Sequence, residues 1–256
     1  SALQILRAGP QMTVQDLGRA ALTAQGLATG GAADRTALAE AAALLNLGQF
    51  PAAIEMAGMG GDFAVTQPMR IALTGAPMRA KIDGKEIGWN QTHLLLPGQR
   101  LSIGGAFSGV YGYLTTAGGI ATEPVLGSRS AHLVGNIGRI LAAGDGLILR
   151  QDRTPTAPPV RISPEPRFSG GPVRMMPGPQ TGLFEEAELA RFLTAEFVRG
   201  AASNRQGVRL EHEGAPFQAG EAAGLASDFI AVGDVQMTGD GVPYVLLSEC
   251  QTMGGY

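Results

Sequence analysis

Four short segments of this 256-residue chain carry side chains that could bind an anion or orient a polar group. The first runs from Thr13 to Arg19 and places the carboxylate of Asp16 three residues before the guanidinium of Arg19, beside Gly18. Two interpretations fit this spacing. Asp16 and Arg19 form a salt bridge within a structural turn, or they face a cleft together with Gln15 and contact a ligand there.

The second segment is the short polar run Gly127-Ser128-Arg129-Ser130. Successive backbone N–H groups and hydroxyls in such a run can converge on an anion, and the guanidinium of Arg129 adds a positive charge. We therefore interpret Ser128 and Arg129 as candidate substrate-binding residues. An ordinary polar loop is the alternative.

The third segment contains two arginines, Arg205 and Arg209, that are four residues apart. Both side chains would share one face, whether the segment is a helix or the strand that Val208 and Leu210 indicate. Two guanidinium groups on one face suit a carboxylate or bicarbonate, because each can donate two parallel hydrogen bonds. A solvated face or an internal ion pair is the alternative.

The fourth segment spans residues 251–256 and begins with Gln251 and Thr252, which are candidate ligand-binding residues. Glycines at positions 254 and 255 allow a close approach of the backbone. Such an approach serves either a planar ligand or tight packing, and both interpretations stay open.

Short strand patterns dominate the chain and predict a mainly β fold with a few helices. The Asp-Gly pairs at 83–84 and 240–241 lie between such patterns and predict β-hairpins. One helix is predicted over residues 34–47, with Asp34 as its N-cap, and a second over residues 181–197. The spacing of helices and strands does not match repeated strand–helix–strand units, so a parallel sheet is not expected.

Matching tripeptides in the two halves indicate an internal duplication. Gly-Pro-Gln at residues 9–11 recurs at 178–180, and Ala-Asp-Arg at 33–35 corresponds to Ser-Asn-Arg at 203–205 with nearly the same offset. A duplicated unit predicts two similar lobes, with equivalent loops around a shared cleft.

A proline-rich segment marks the predicted boundary between the lobes. Residues 154–172 hold six of the 16 prolines and are interpreted as a linker between a first lobe, 1–153, and a second, 173–256. We expect the second lobe to be C-terminally incomplete. The first copy continues past its Gly-Gly pair to residue 150, whereas the second copy stops just after its own pair.

Composition narrows the classes of function. The net charge of −3 argues against nucleic acid as the main partner, and the sequence has no apolar run long enough to span a membrane. The single cysteine, Cys250, leaves no internal disulfide and fits a reducing cytoplasm. The three histidines are far apart in sequence, so no metal site is expected. The sequence also lacks a phosphate-binding loop.

Six segments, taken together and in this order, resemble the biotin-dependent carboxyltransferase family. This family includes the 5-oxoprolinase C subunit, the bacterial kinase-inhibitor antagonist KipA and part of urea carboxylase, and its members are also called allophanate hydrolase subunit 2. The segments span residues 13–19, 30–34, 127–130, 177–180, 204–210 and 251–256. One departure concerns Asn204, which stands where the family usually has an aspartate.

The resemblance implies two cyclophilin-like β-barrel lobes and a cytoplasmic heteromer with the A and B subunits of 5-oxoprolinase, the second of which is KipI-like. It implies that the chain is the C subunit of this ATP-dependent enzyme, which opens 5-oxoproline to glutamate, with ATP handled by the complex. In that role Arg129, Arg205 or Arg209 would hold the substrate carboxylate, and Asp16 or Gln251 would orient the amide during catalysis.

The same resemblance leaves two alternatives open. A carboxyltransferase subunit would move CO2 from carboxybiotin, carried on another chain, to urea or a related amide. A non-catalytic, KipA-like binding protein would instead antagonise a kinase inhibitor. Because equivalent loops of a duplicated scaffold surround one cleft, we also expect Asp16, Arg129, Arg205 and Gln251 to line a single groove between the lobes.

Overall fold

The computed structural model forms two compact units, whose boundary along the chain follows Gly171. It describes residues 1–163, 166–218, 220 and 227–254. The first unit comprises Ser1–Arg19 and Gly31–Gly171, and the second comprises Ala20–Gly30 and Pro172–Tyr256. The proline-rich residues up to 171 thus belong to the first unit, and a short segment from the N-terminal region belongs to the second.

Antiparallel strands and one α-helix build the described part of the first unit. The helix is α1 (Arg35–Leu45). The strands are β1 (Ala2–Arg7), β2 (Thr13–Gln15), β3 (Ala53–Ala57), β4 (Asp62–Val65), β5 (Met69–Gly75), β6 (Met78–Ile82), β7 (Lys85–Glu86), β8 (Gln91–Leu95), β9 (Leu101–Ala106), β10 (Tyr111–Thr116) and β11 (Gly146–Ile148).

These strands form two sheets that share one apolar core. The six-stranded sheet has the order β11-β1-β4-β9-β6-β7, and the five-stranded sheet has the order β2-β3-β10-β5-β8. Alternate residues of both sheets point into the core, as the period of a strand requires. Leu3, Phe63 and Ile103 come from the first sheet, and Ile54 and Leu114 come from the second.

The other face of the five-stranded sheet is covered by α1. Small residues allow the close packing there: Ala37 of the helix and Ala53 of β3 are fully buried in one apolar cluster. The helix begins after Asp34, whose carboxylate accepts a hydrogen bond from the N–H of Ala37 at 3.1 Å and thus acts as the predicted N-cap. It ends at Leu45, and Asn46 after it adopts the left-handed conformation with φ of 53°.

A buried polar row crosses the same sheet face and fixes the start of α1. Thr13, Glu55, Tyr113 and Thr74 lie opposite one another on four neighbouring strands. The carboxylate of Glu55 accepts hydrogen bonds from the Tyr113 hydroxyl at 2.7 Å and from the N–H of Ala33 at 2.9 Å. The sheet therefore holds the residues that lead into the helix.

The described part of the second unit is smaller and also mainly β. Its helix is α2 (Glu186–Thr194), which follows a single 3₁₀ turn at Thr181–Leu183. A four-stranded sheet has the order β12-β13-β16-β15, and a separate pair joins β14 to β17. These strands are β12 (Val198–Arg199), β13 (Gly207–Glu211), β14 (Asp228–Phe229), β15 (Val235–Met237), β16 (Pro243–Leu246) and β17 (Met253–Gly254).

The structure confirms the predicted mainly β fold with a few helices. Both predicted Asp-Gly hairpins are present, joining β6 to β7 and β15 to β16. Asp83 and Gly84 both have positive φ, of 50° and 80°, as a two-residue hairpin turn requires. Among the described strands the sheets are open rather than closed into barrels, an arrangement that a cyclophilin-like fold accommodates. None of the described helices has the length and apolarity to cross a membrane.

Candidate functional site

The carboxylate of Asp16 organises the loop at residues 125–130 in the first unit. Asp16 directly follows β2, and its Oδ1 accepts hydrogen bonds from the hydroxyls of Ser128 and Ser130, both at 2.5 Å, and from the N–H of Gly18 at 2.8 Å. Its Oδ2 accepts a hydrogen bond from the N–H of Arg129 at 2.7 Å. The hydroxyls and N–H groups that sequence analysis assigned to an anion nest thus converge on a carboxylate of the chain itself.

These contacts set the protonation state of Asp16. Burial raises the pKa of its carboxyl group, but the hydrogen bonds from Ser128, Ser130, Arg129 and Gly18 together outweigh burial and lower the pKa below its ordinary value. Asp16 is therefore ionised and is a weak proton acceptor. Its geometry suits holding the loop better than abstracting a proton.

Arg19 binds the backbone carbonyl groups of the same loop. Its side chain is among the largest fully buried ones, with 1% exposure. Nε donates to the carbonyl of Val125 at 3.0 Å, and one terminal amino group donates to the carbonyls of Ser130 at 2.6 Å and Ser128 at 3.4 Å. Asp16 thus accepts a hydrogen bond from a backbone N–H of this loop, and Arg19 donates hydrogen bonds to its backbone carbonyls. These complementary contacts account for the spacing of the two residues in the sequence.

The guanidinium of Arg129 is only partly used by the protein. Its Nε donates to the carbonyl of Thr122 at 2.7 Å, which fixes the plane of the group. Within the described part of the chain, its two terminal amino groups have no hydrogen-bond partner. The side chain is half-buried. Arg129 therefore presents an oriented pair of donors that could receive a carboxylate.

Gln15 is the last residue of β2 and is fully buried. Its side-chain nitrogen donates to the hydroxyl of Thr13 at 2.9 Å and to the carbonyl of Ala131 at 3.2 Å. Its side-chain oxygen has no partner among the described residues. Gln15 precedes Asp16 in the chain, and its amide is directed into the protein.

In the second unit, Arg205 forms a buried ion pair with Glu249. The Arg205 side chain is 9% exposed and that of Glu249 is 2% exposed, and the distance from Nε to Oε1 is 2.7 Å. Arg205 also donates to the Ser248 hydroxyl at 3.1 Å. Strand β13 begins only at Gly207, so the shared strand face proposed for Arg205 and Arg209 does not exist.

Arg209 lies on β13 opposite Tyr244 of β16. One of its terminal amino groups lies 3.5 Å from the Tyr244 hydroxyl, and its Nε lies 3.8 Å from Oε1 of Glu211. The side chain is half-buried. The two arginines of the predicted carboxylate clamp therefore have different surroundings, one in a closed ion pair and one beside a tyrosine.

A cavity of about 270 Å³ lies within the second unit. Gln251, one of the predicted catalytic residues, lines it, and Thr252 follows directly in sequence. The full lining consists of Ala202, Asn204, Gln206, Gly207, Ile230, Gln236, Thr238, Tyr244, Leu246, Cys250 and Gln251. Of the predicted glycine pair, Gly254 belongs to β17, and Gly255 lies outside the described residues, as does Tyr256.

Sequence analysis missed several lining residues of this cavity. Gln206, Gln236 and Tyr244 come from three separate segments and share no motif. One sequence signal could have brought two of them together. The predicted hairpin at 240–241 sets Gln236 directly opposite Tyr244 in the strand register. No group of side chains suited to a metal ion occurs among the residues that the structure describes.

The predicted site residues are divided between the two units. Asp16 and Arg129 belong to the first unit and are in direct contact. Arg205 and Gln251 belong to the second unit. The expectation that all four line one groove stays a prediction.

Comparison with known proteins identifies the family of this chain. Residues 25–256 match the family model described as carboxyltransferase domain, subdomain A and B. The chain is 33% identical over 273 residues to the C subunit of 5-oxoprolinase from Escherichia coli, a match that covers 99% of this chain and 82% of that protein. These two findings agree on a single family.

Solved structures support the same assignment. The crystal structure of TTHA0988 has a TM-score of 0.87 and 32% identity, covering 99% of this chain and 50% of that one. Kluyveromyces lactis urea carboxylase has a TM-score of 0.81 and 25% identity, covering all of this chain and 25% of that one. The chain thus spans half or less of these solved chains. It belongs to the carboxyltransferase domain family, subdomains A and B.

Proposed function

We propose that this chain is the C subunit of an ATP-dependent 5-oxoprolinase. The observation that carries the proposal is its 33% identity to the C subunit of the Escherichia coli enzyme along 99% of this sequence. In this role the chain acts in the cytoplasm with the A and B subunits and opens the ring amide of 5-oxoproline to give glutamate. Because this sequence has no phosphate-binding loop, ATP is handled by the complex.

The first unit supplies a suitable group for the substrate carboxylate. The terminal amino groups of Arg129 have no partner within the described residues, and the Thr122 carbonyl fixes the plane of the guanidinium. A pre-oriented guanidinium binds a carboxylate through two parallel hydrogen bonds. Asp16 then acts as a positioning residue, because it binds the backbone N–H of Arg129 and the hydroxyls on either side.

The second unit supplies groups for the amide of the substrate. Gln251 lines the cavity, and its side chain can both donate and accept a hydrogen bond. In this proposal Gln251 orients the ring amide while the complex activates it with ATP. The proposal needs no metal ligand from the chain.

Glutamate release by the reconstituted complex tests the proposal. The chain is co-purified with the products of the adjacent genes and supplied with 5-oxoproline and ATP. We expect ATP-dependent formation of glutamate that is lost when this chain is omitted. A tight complex that turns over neither 5-oxoproline nor any other amide would contradict the proposal and favour the non-catalytic, KipA-like binding function.

A carboxyltransferase function is the second candidate. The match of residues 25–256 to the carboxyltransferase model and the likeness to urea carboxylase favour it. In that case a carboxybiotin carried on another chain would give its CO2 to urea or a related amide. The same purified complex, assayed with urea, a biotin carboxylase, its biotinylated carrier, labelled bicarbonate and ATP, distinguishes the two, because only a carboxyltransferase transfers the label from carboxybiotin to the amide.

A further inference from the structure

The tripeptides at 33–35 and 203–205, which indicate a duplication in the sequence, also correspond in the structure. The side chain of the middle residue of each accepts a hydrogen bond from the N–H three positions further along, at 3.1 Å in the first unit and 3.4 Å in the second. The last residue of each tripeptide is an arginine. Arg35 of the first unit and Arg205 of the second can therefore be compared directly.

The second unit supplies a carboxylate for its arginine, and the first unit does not. Arg205 is buried and binds Glu249, with 2.7 Å between Nε and Oε1. When the Gly-Gly pair at 118–119 is matched with the pair at 254–255, Tyr113 stands at the position of Glu249. The duplication thus places a phenol in the first unit where the second unit has the carboxylate that binds its arginine.

Arg35 keeps most of its hydrogen-bond donors unused. Its side chain is exposed, and one terminal amino group donates to the carbonyl of Leu17 at 3.2 Å. Among the described residues its guanidinium forms no other hydrogen bond and no ion pair. The backbone that leads into α1 is fixed at the same place, because the N–H of Ala32 donates to the carbonyl of Asp16 at 2.8 Å. Arg35 therefore presents available donors beside the segment that follows β2.

Arg35 and Arg129 contact adjacent residues of that segment. The guanidinium of Arg35 binds Leu17, and the backbone N–H of Arg129 donates to the carboxylate of Asp16 at 2.7 Å. The terminal amino groups of Arg129 also have no partner in the described part of the chain. Two available guanidinium groups beside one short segment suit a ligand with two anionic groups, because each can bind one carboxylate through parallel hydrogen bonds.

The acidic residues of the neighbouring elements leave both guanidinium groups available. Asp16 already accepts hydrogen bonds from four donors of the chain. Asp34 and Glu40 both bind one arginine of the proline-rich segment, at 3.0 and 2.6 Å. Glu55 is buried and binds the hydroxyl and N–H groups described above. Glu123 is exposed and forms no ion pair with a described residue.

We propose that Arg35 and Arg129 bind a short dicarboxylate, with one carboxylate on each guanidinium. Arg205 shows this mode of binding at the corresponding position, where the carboxylate belongs to the chain itself. The inference deepens the proposed function and rests on it only for the identity of the natural ligand. Hydrolysis of the ring amide of 5-oxoproline adds water across the C–N bond, so a substrate with one carboxylate becomes glutamate, which has two. Arg35 therefore favours the product over the substrate.

A comparison of glutarate with glutaramate tests the proposal, because glutaramate has the same carbon chain but an amide in place of one carboxylate. Binding to the full chain is measured by ligand-observed NMR at fixed ionic strength. We expect glutarate to bind about tenfold more tightly, as one additional charged hydrogen-bond pair at an exposed position predicts. Arg35→Gln should reduce the affinity for glutarate to that for glutaramate and leave glutaramate binding unchanged. Arg129→Gln should weaken the binding of both probes.

Further variants separate recognition by Arg35 from effects of charge or folding. Arg35→Lys should keep only part of the preference for glutarate, because it keeps the charge but loses the paired donors. Arg153→Gln should keep the full preference, since Arg153 is exposed in the same unit. Arg35→Gln should unfold at the same urea concentration as this control, because Arg35 forms a single hydrogen bond, at the surface, with the described residues.

Three results would overturn this inference. They are equal affinities of glutarate and glutaramate for the native chain, a preference for glutarate that survives in Arg35→Gln, and an equal loss of that preference in Arg153→Gln. Failure here is distinguishable from failure of the proposed function. Binding of the two probes is measured on the chain alone, whereas glutamate release is measured on the complex.

Discussion

At the residue scale, the first unit surrounds one carboxylate with hydrogen-bond donors. Asp16 accepts hydrogen bonds from two serine hydroxyls and two backbone N–H groups. The donors at residues 128–130 are more than 100 positions away in sequence, so no local pattern could reveal the contact. Sequence analysis selected these segments as chemically notable, but it could not show that they bind one another.

Replacing Asp16 by asparagine should destabilise the first unit by about 2 kcal/mol, because hydrogen bonds to a charged group are lost. The pKa of Asp16 is lower in the folded protein than its ordinary value of 3.8. Its contribution to stability is therefore complete above that value and is lost as the pH falls through the lower, folded pKa. Urea unfolding between neutral pH and pH 3 should show a smaller loss of stability for Asp16→Asn than for the native chain. Parallel pH curves for the two proteins would contradict this account.

A second residue-scale prediction concerns the buried pair of Arg205 and Glu249. Arg205→Leu should destabilise the second unit by about 3–5 kcal/mol, because it leaves a buried carboxylate without its partner. Replacing both residues by leucine should restore much of this loss, since no charge then stays buried. Arg174→Leu is the control, as Arg174 is exposed in the same unit. Thermal unfolding of the four proteins measures the effect, and a single variant as stable as the control would refute the structural role.

At the element scale, hairpins and the first helix follow from local chemistry. The Asp-Gly turns and the Asp34 N-cap act within a few residues, which is why the sequence alone predicted them. The helix predicted over 181–197 is shorter in the structure, because residues Thr181–Leu183 form a separate 3₁₀ turn and α2 ends at Thr194, after which Ala195 is extended. Packing of strands from distant parts of the chain decided the sheet order, and no local pattern encodes that order.

Gly31 tests how closely the segment before α1 must approach Leu17 and Gly18, which directly follow Asp16. It has φ of +85°, and a Cβ placed on it would lie 2.6 Å from the carbonyl carbon of Leu17. Gly31→Ala should therefore destabilise the unit by more than about 2 kcal/mol. Gly98→Ala is the matched control, because Gly98 belongs to the same unit and has a similar φ of +87° but open space around its Cβ position. It should cost only about 1–2 kcal/mol, the conformational term alone. Equal losses in urea unfolding would show that the close approach to Leu17 is unimportant.

At the scale of the whole molecule, two mainly β units carry different chemistry. The first presents an oriented guanidinium at Arg129, and the second presents a cavity that includes Gln251. The fold class and the family resemblance could be predicted from ordered sequence motifs. The cavity could not, since its lining comes from several segments that meet only in the folded unit.

Glutamate release by the purified complex of this chain with its partner subunits tests the central claim most directly. The account predicts ATP-dependent conversion of 5-oxoproline, with a KM that rises about ten- to a hundredfold in Arg129→Gln because a charged hydrogen-bond pair is lost. Arg153→Gln, which changes an exposed arginine of the same unit, should behave as the native chain does. A complex that assembles but releases no glutamate, or one whose KM is the same in Arg129→Gln and in the control, would contradict it.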